Sequence, residues 1–186
     1  FKSLKISLSI CNMTIKPIIT VPNEVLKKIS DPIGSIGESE KKLVNDLFET
    51  MYNSNGIGLA AVQVGILKRI LVIDVSSKDE EKNPMSFINP VIQKVSKETS
   101  LYEEGCLSIP DTFIEIERPK SCEVEYIDMD GKKKILKCDG LLSTCIQHEI
   151  NHLDGKLIID NLSKLKRDFI IKKISKTKKI PDRIIV

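Results

Sequence analysis

The two histidines of this chain stand four apart, in His148-Glu149-Ile150-Asn151-His152. On an α-helix four residues turn about 400°, so both imidazoles leave one face a turn apart and can chelate a single divalent ion. Glu149 falls about 100° further round, where it can touch a water on that ion without being a ligand, the position of a general base. Two histidines that bind nothing are the plainer reading, but Glu between them at this spacing favours the metal. A catalytic metal also needs a third protein ligand and one open position. Beyond His152 the chain offers no Glu and no further His, only Asp154, Asp160, Asp168 and Asp182, so the third ligand is expected upstream.

Cys106, in Glu104-Gly105-Cys106-Leu107-Ser108, is the best upstream donor. Its thiolate suits Zn or Fe, and Gly105 allows close backbone approach. Taken alone, Cys106 would be an inert buried thiol. A third segment, Gly56-Ile57-Gly58-Leu59-Ala60-Ala61-Val62-Gln63-Val64-Gly65, sets glycines, alanines and one amide in an apolar run. It reads either as tight packing of a helix end on a strand or as backbone laid against a ligand, with the Gln63 amide donating to a developing oxyanion.

The elements that must position these residues are legible from periodicity. Over residues 39–53, Leu43, Val44, Leu47, Phe48, Met51 and Tyr52 trace a helix with one buried stripe, stopped by Asn53-Ser54-Asn55-Gly56. β-branched runs predict strands at 69–75, 87–95, 114–117 and 122–127, and Asp130-Gly131 turns the chain into another at 133–137. Successive strands without intervening helices imply antiparallel pairing. A second helix is expected over 141–153, closed by Asp154-Gly155, and a third over about 163–178, with Leu165, Phe169, Ile170 and Ile174 beside a row of Lys, ended by Pro181. The fold class is α+β, with antiparallel strands and a C-terminal helix.

Composition bounds the rest. The 186 residues, 41% hydrophobic and 30% charged, describe one folded domain of ordinary globular type. No apolar run approaches the roughly 18 to 20 residues of a membrane span. A net charge of +3, no Trp and eight Phe plus Tyr argue against a general nucleic-acid binder. Five scattered cysteines without a CxxC pair point to a reducing compartment. Residues 1–12 make a poor secretory or transit signal. They are expected to be an extension outside the core, with Met13 as the start and 13–186 as the catalytic domain.

GIGLAAVQVG, EGCLS and QHEINHLDG, in this order, resemble the three signature segments of the peptide deformylases, metallohydrolases that remove the formyl group from nascent N-formylmethionyl chains. The resemblance spans roughly residues 13–179, including Asp139-Gly140-Leu141-Leu142, and its Lys-rich C-terminus resembles the bacterial type with a helical C-terminus. It implies the family's α+β fold, with antiparallel sheets packed around a central HExxH metal-binding helix. It implies that Cys106, His148 and His152 bind one divalent metal, natively Fe(II), with Zn, Ni or Co as possible substitutes for the same S and N donors. It implies Glu149 as general base and then acid, and Gln63 with the Leu107 backbone N–H as oxyanion donors. Ile57, Leu141 and Cys145 would line the methionine pocket, and the Gly58 and Gly105 backbones would bind the peptide as an added strand.

The chain departs from that pattern at Asn151, where most relatives carry Asp able to pair with an Arg matching Arg118, and at Phe113, where relatives often carry Arg. Formylated initiation implies a bacterial cytoplasm, or less readily an organelle, and the eight basic residues between Lys164 and Lys179 suggest a contact with ribosomal RNA or a solvated face. Two rival readings are a metallopeptidase, disfavoured by the missing downstream Glu or His, and a catalytically silent metal-bound module that docks on ribosomes.

Overall fold

The computed structural model describes residues 14–77 and 80–177; the expected extension, Met13 and Pro181 lie outside them. Helix α1 (Glu38–Asn53) begins where Glu40 Oε2 accepts the Gly37 N–H at 2.8 Å, satisfying a donor that a helix start leaves free. Its stripe of Leu43, Val44, Leu47 and Met51 is buried, as the spacing predicts. The chain leaves through Asn55, at φ 53°, a left-handed position that Asn tolerates better than most residues.

Among the described residues seven strands follow: β1 (Gly58–Ala60), β2 (Ile70–Ile73), β3 (Met85–Val95), β4 (Thr99–Cys106), β5 (Ile109–Pro119), β6 (Ser121–Ile127) and β7 (Lys133–Asp139). They make a five-stranded sheet in the order β1-β2-β3-β6-β7 and a two-stranded sheet of β4 and β5, with every pair antiparallel. The β6–β7 hairpin turns at Gly131, φ 79°, as the Asp-Gly pair requires. Strands β1 and β4 go beyond the sequence expectation. β1 has three buried residues, two of them Gly and Ala, so it shows neither alternation nor β-branching. β4 reads Thr-Ser-Leu-Tyr-Glu-Glu-Gly-Cys, and only cross-strand pairing with β5 holds it extended. β5 also begins earlier than expected, because Cys106 pairs with Ile109 and Gly105 with Phe113 across a register shift.

Helix α2 (Gly140–Leu153) packs against both sheets and is buried along nearly its whole length, including Ser143 to Ile150, His152 and Leu153. Burial on all sides marks an interior helix rather than a surface one. Ile146, Ile150 and Leu153 join Leu71, Ile73, Phe87 and Val124 in one core cluster. Helix α3 (Lys164–Thr177) crosses a second cluster, where Ile174 is buried and Ile170 and Ile171 pack beside Ile114, Ile116 and Ile158. Among the described residues no helix is long and apolar enough to cross a membrane.

Candidate active site

Three elements meet over one cavity of about 450 Å³: the segment around β1, the β4–β5 hairpin, and α2. Its lining includes Ile57, Gly58, Gln63, Gly105, Cys106, Leu107, Leu141, Cys145, His148 and Glu149. His152 lies just below, 1% exposed. All eleven residues singled out from the sequence are therefore brought together, from positions nearly a hundred residues apart.

The two imidazoles project from α2 one turn apart, with His148 Nε2 and His152 Nε2 at 3.2 Å. Cys106 ends β4, and its Sγ stands 3.2 Å from His152 Nε2. The three donor atoms lie within 4.8 Å of one another. Tetrahedral sites with Zn–N near 2.0 Å and Zn–S near 2.3 Å separate their ligand atoms by about 3.3–3.6 Å, so this arrangement suits one ion. The electrostatics agree. Burial disfavours a charged His148, yet Cys106 and Glu104 outweigh it and raise its pKa to about 10. A pocket that raises the proton affinity of a buried imidazole attracts positive charge. Burial, with His148 beside it, pushes His152 well down, toward the neutral form that a ligand needs.

Beyond the donors, His148 Nδ1 lies 2.8 Å from Glu104 Oε2. Glu104 is held in turn by the Arg118 guanidinium through Nε and through Nη2 at 2.9 Å, and Arg118 Nη1 donates to Asn151 Oδ1 at 2.8 Å. Burial opposes charge on Glu104, but His148 and Arg118 together hold its pKa below the usual value. Such carboxylate–histidine pairs fix ring orientation and tautomer. Glu104 was the residue that sequence reasoning passed over; its signal was a carboxylate two residues before the ligand, on the same face of β4 as Cys106.

Gln63 is aimed by the backbone three residues before it. Its Oε1 accepts the Ala60 N–H at 2.8 Å, which leaves Nε2 directed at Ser108 Oγ, 3.2 Å away, and near Cys106 Sγ at 3.9 Å. Glu149 is 4% exposed, and its Oε2 has no hydrogen-bond partner among the described residues. Burial raises its pKa to about 7, against the opposing pull of His148 and Arg118. A carboxyl so poised exchanges protons near neutrality. Gly58 lies against it: a Cβ there would come 2.5 Å from Glu149 Oε1 and 2.8 Å from Cys145 Sγ. Tight packing, the first of the two readings of this segment, is what the geometry requires at Gly58. Phe113 is 67% exposed at the cavity mouth, its ring covering Gly105.

Comparison with known proteins is consistent with this chemistry. The family described as polypeptide deformylase matches residues 15–168. A peptide deformylase of Pelagibacter ubique is 56% identical over 94% of this chain and 100% of its own length, and one of Rhizobium meliloti is 52% identical over 90% and 96%. The crystal structure of peptide deformylase from Ehrlichia chaffeensis in complex with actinonin superposes with a TM-score of 0.86 at 44% identity, covering 90% of this chain and 100% of that one.

Proposed function

The chain belongs to the peptide deformylase family, and from that premise we propose that it hydrolyses the N-formyl group from the N-terminal formylmethionine of nascent polypeptides and releases formate. The observation that carries this reading is the convergence of Cys106, His148 and His152 within 4.8 Å, in a cavity that also holds the buried, unpartnered carboxylate of Glu149. Cys106, His148 and His152 would hold one divalent ion, natively Fe(II), with Zn, Ni or Co fitting the same donors. When bound, the ion would supply Lewis acidity that activates water and polarises the formyl carbonyl.

The chain's own residues do the rest. Glu149 takes a proton from the attacking water and returns it to the departing amine, so one buried carboxyl serves as base and then acid. The Gln63 amide, held by Ala60, and the Leu107 N–H donate to the oxygen that becomes negative at the tetrahedral stage. Ile57, Leu141 and Cys145 receive the methionine side chain. The Gly58 and Gly105 backbones pair with the peptide as an added strand, since β1 is a free edge of its sheet.

The catalytic domain starts at residue 13, with 1–12 outside it. Its substrates are made in a bacterial cytoplasm, which is where we place the enzyme, and the basic α3 is the face we assign to ribosomal RNA. The test is formate release from a short formyl-Met peptide by anaerobically purified protein of known metal content, beside Glu149→Ala. Turnover that falls by about 10²–10⁴-fold in the variant, with metal retained, is the expected result. No turnover by fully loaded wild type overturns the proposal.

A further inference from the structure

The two ligating imidazoles are supported unequally. A neutral imidazole that offers its Nε2 lone pair to a metal carries its proton on Nδ1, and that proton needs an acceptor. His148 has one, Glu104 Oε2 at 2.8 Å. His152, 1% exposed, has a buried Nδ1 with no hydrogen-bond partner among the described residues. Its Nε2 faces Cys106 and His148, but no side chain among the described residues fixes its Nδ1.

A second, much smaller cavity adjoins these residues, with a volume of about 10 Å³. Asn151 and His152 line it together with Arg118, His148, Lys156 and Asn161, and Leu157 and Ile158 form its apolar side. A space of about 10–15 Å³ holds one water, provided two to four polar groups face it. Asn151 can supply one of them. Its Oδ1 is taken by Arg118 Nη1, while its Nδ2 makes no hydrogen bond among the described residues.

We propose that this cavity is a single-water site, in which the water accepts the Nδ1–H of His152 and an Nδ2–H of Asn151. One hydrogen-bonded chain then runs His152–water–Asn151–Arg118–Glu104–His148 and orients both imidazoles. Asn151 is a positioning residue in this scheme. The scheme explains why an amide serves here: a carboxylate would bind the same water with the water's own protons, so either side chain completes the chain and an apolar one does not. The inference rests on the reading of His148 and His152 as metal ligands, and is independent of the reaction.

The test uses Zn-loaded protein with ¹⁵N-labelled histidine. The His152 Nδ1–H resonance should be resolved and should show a cross-peak to a long-lived water in the wild type and in Asn151→Asp. In Asn151→Leu that cross-peak should vanish, and release of Zn to a chelator should quicken by about 10–100-fold, the usual cost of losing a partner behind a metal ligand. Asn151→Asp should stay close to wild type. Wild type that holds one Zn per chain but shows no water at His152 Nδ1–H overturns the inference alone, as does Asn151→Leu that is folded and releases Zn at the wild-type rate. Wild type that binds no Zn overturns the ligand reading and this inference together.

Discussion

Gly58 is where backbone and base come into contact, and the cost of any side chain there is set by Glu149. A methyl group at 2.5 Å from Glu149 Oε1 must push the carboxylate aside, and a displacement of about 1 Å at a reacting group costs on the order of 10²-fold in rate. Gly58→Ala should therefore lose about that much kcat/KM while keeping its metal content, measured side by side. Glu149 also sets a pH dependence. Burial lifts it to about 7, and a base works only when ionised, so kcat/KM should fall as pH drops through the working pKa of Glu149. A divalent cation beside it favours the carboxylate, which places that limb below about 7. A profile flat from about pH 4 to 7 would contradict the assignment of Glu149 as base. Glu104 acts one step further out. Glu104→Gln leaves Arg118 buried without its charge partner and weakens the acceptor for His148. It should cost about 3–5 kcal/mol of stability in urea denaturation and about 10–100-fold in metal affinity.

Elements hold these residues in place, and α1 shows how one of them is fixed at its start. Glu40 accepts hydrogen bonds from Lys68 Nζ at 2.7 Å, from the Gly37 N–H and from Ser39 Oγ, and together these lower its pKa to about 2. A carboxylate with a depressed folded pKa adds stability that is fully present above its unfolded value of about 4.3 and is lost as pH falls through about 2. Glu40→Gln should be less stable than wild type at about pH 6, and the gap should narrow below about pH 4 and close below about pH 2, in urea titrations at each pH. A gap that persists unchanged in acid would show that the cap works through shape and not charge. The same comparison of elements shows what the residues encode locally. Helices α1 and α2 were legible because periodicity and Gly or Asn stops are local signals, and the α2 spacing carried the site with it. β1 and β4 were not, although they carry Gly58 and Cys106. β1 is extended because it pairs with β2 and lies under α2, and β4 because each residue faces one of β5. Neither segment's own residue types encode that pairing, which comes from the partner strand. The Glu104–Arg118–Asn151 network has the same character: its members lie on β4, β5 and α2, and only the packed fold makes them neighbours.

At the scale of the molecule, charge is unevenly spread. The chain as a whole carries +3, yet α3 presents Lys164, Lys166, Lys172 and Lys176 on its exposed side, together with Leu165 and Phe169 at 84% and 70% exposure. The opposite side of α3 is committed to the core through Ile170, Ile171 and Ile174, so the helix is anchored by one face and free to engage a partner with the other. Reversing Lys164, Lys166, Lys172 and Lys176 to Glu leaves those isoleucines and the whole cavity untouched. Turnover of a short formyl-Met peptide should then stay within about twofold of wild type, because small substrates meet only the cavity and steering by distant charge is screened beyond about 10 Å at ordinary salt. Binding to purified ribosomes should be lost. In the wild type its affinity should fall linearly with the logarithm of salt concentration, with a slope of about −0.7 to −0.9 per phosphate neutralised. Equal ribosome binding by the wild type and the charge-reversed protein would identify α3 as a solvated face and remove RNA from the enzyme's partners through this helix.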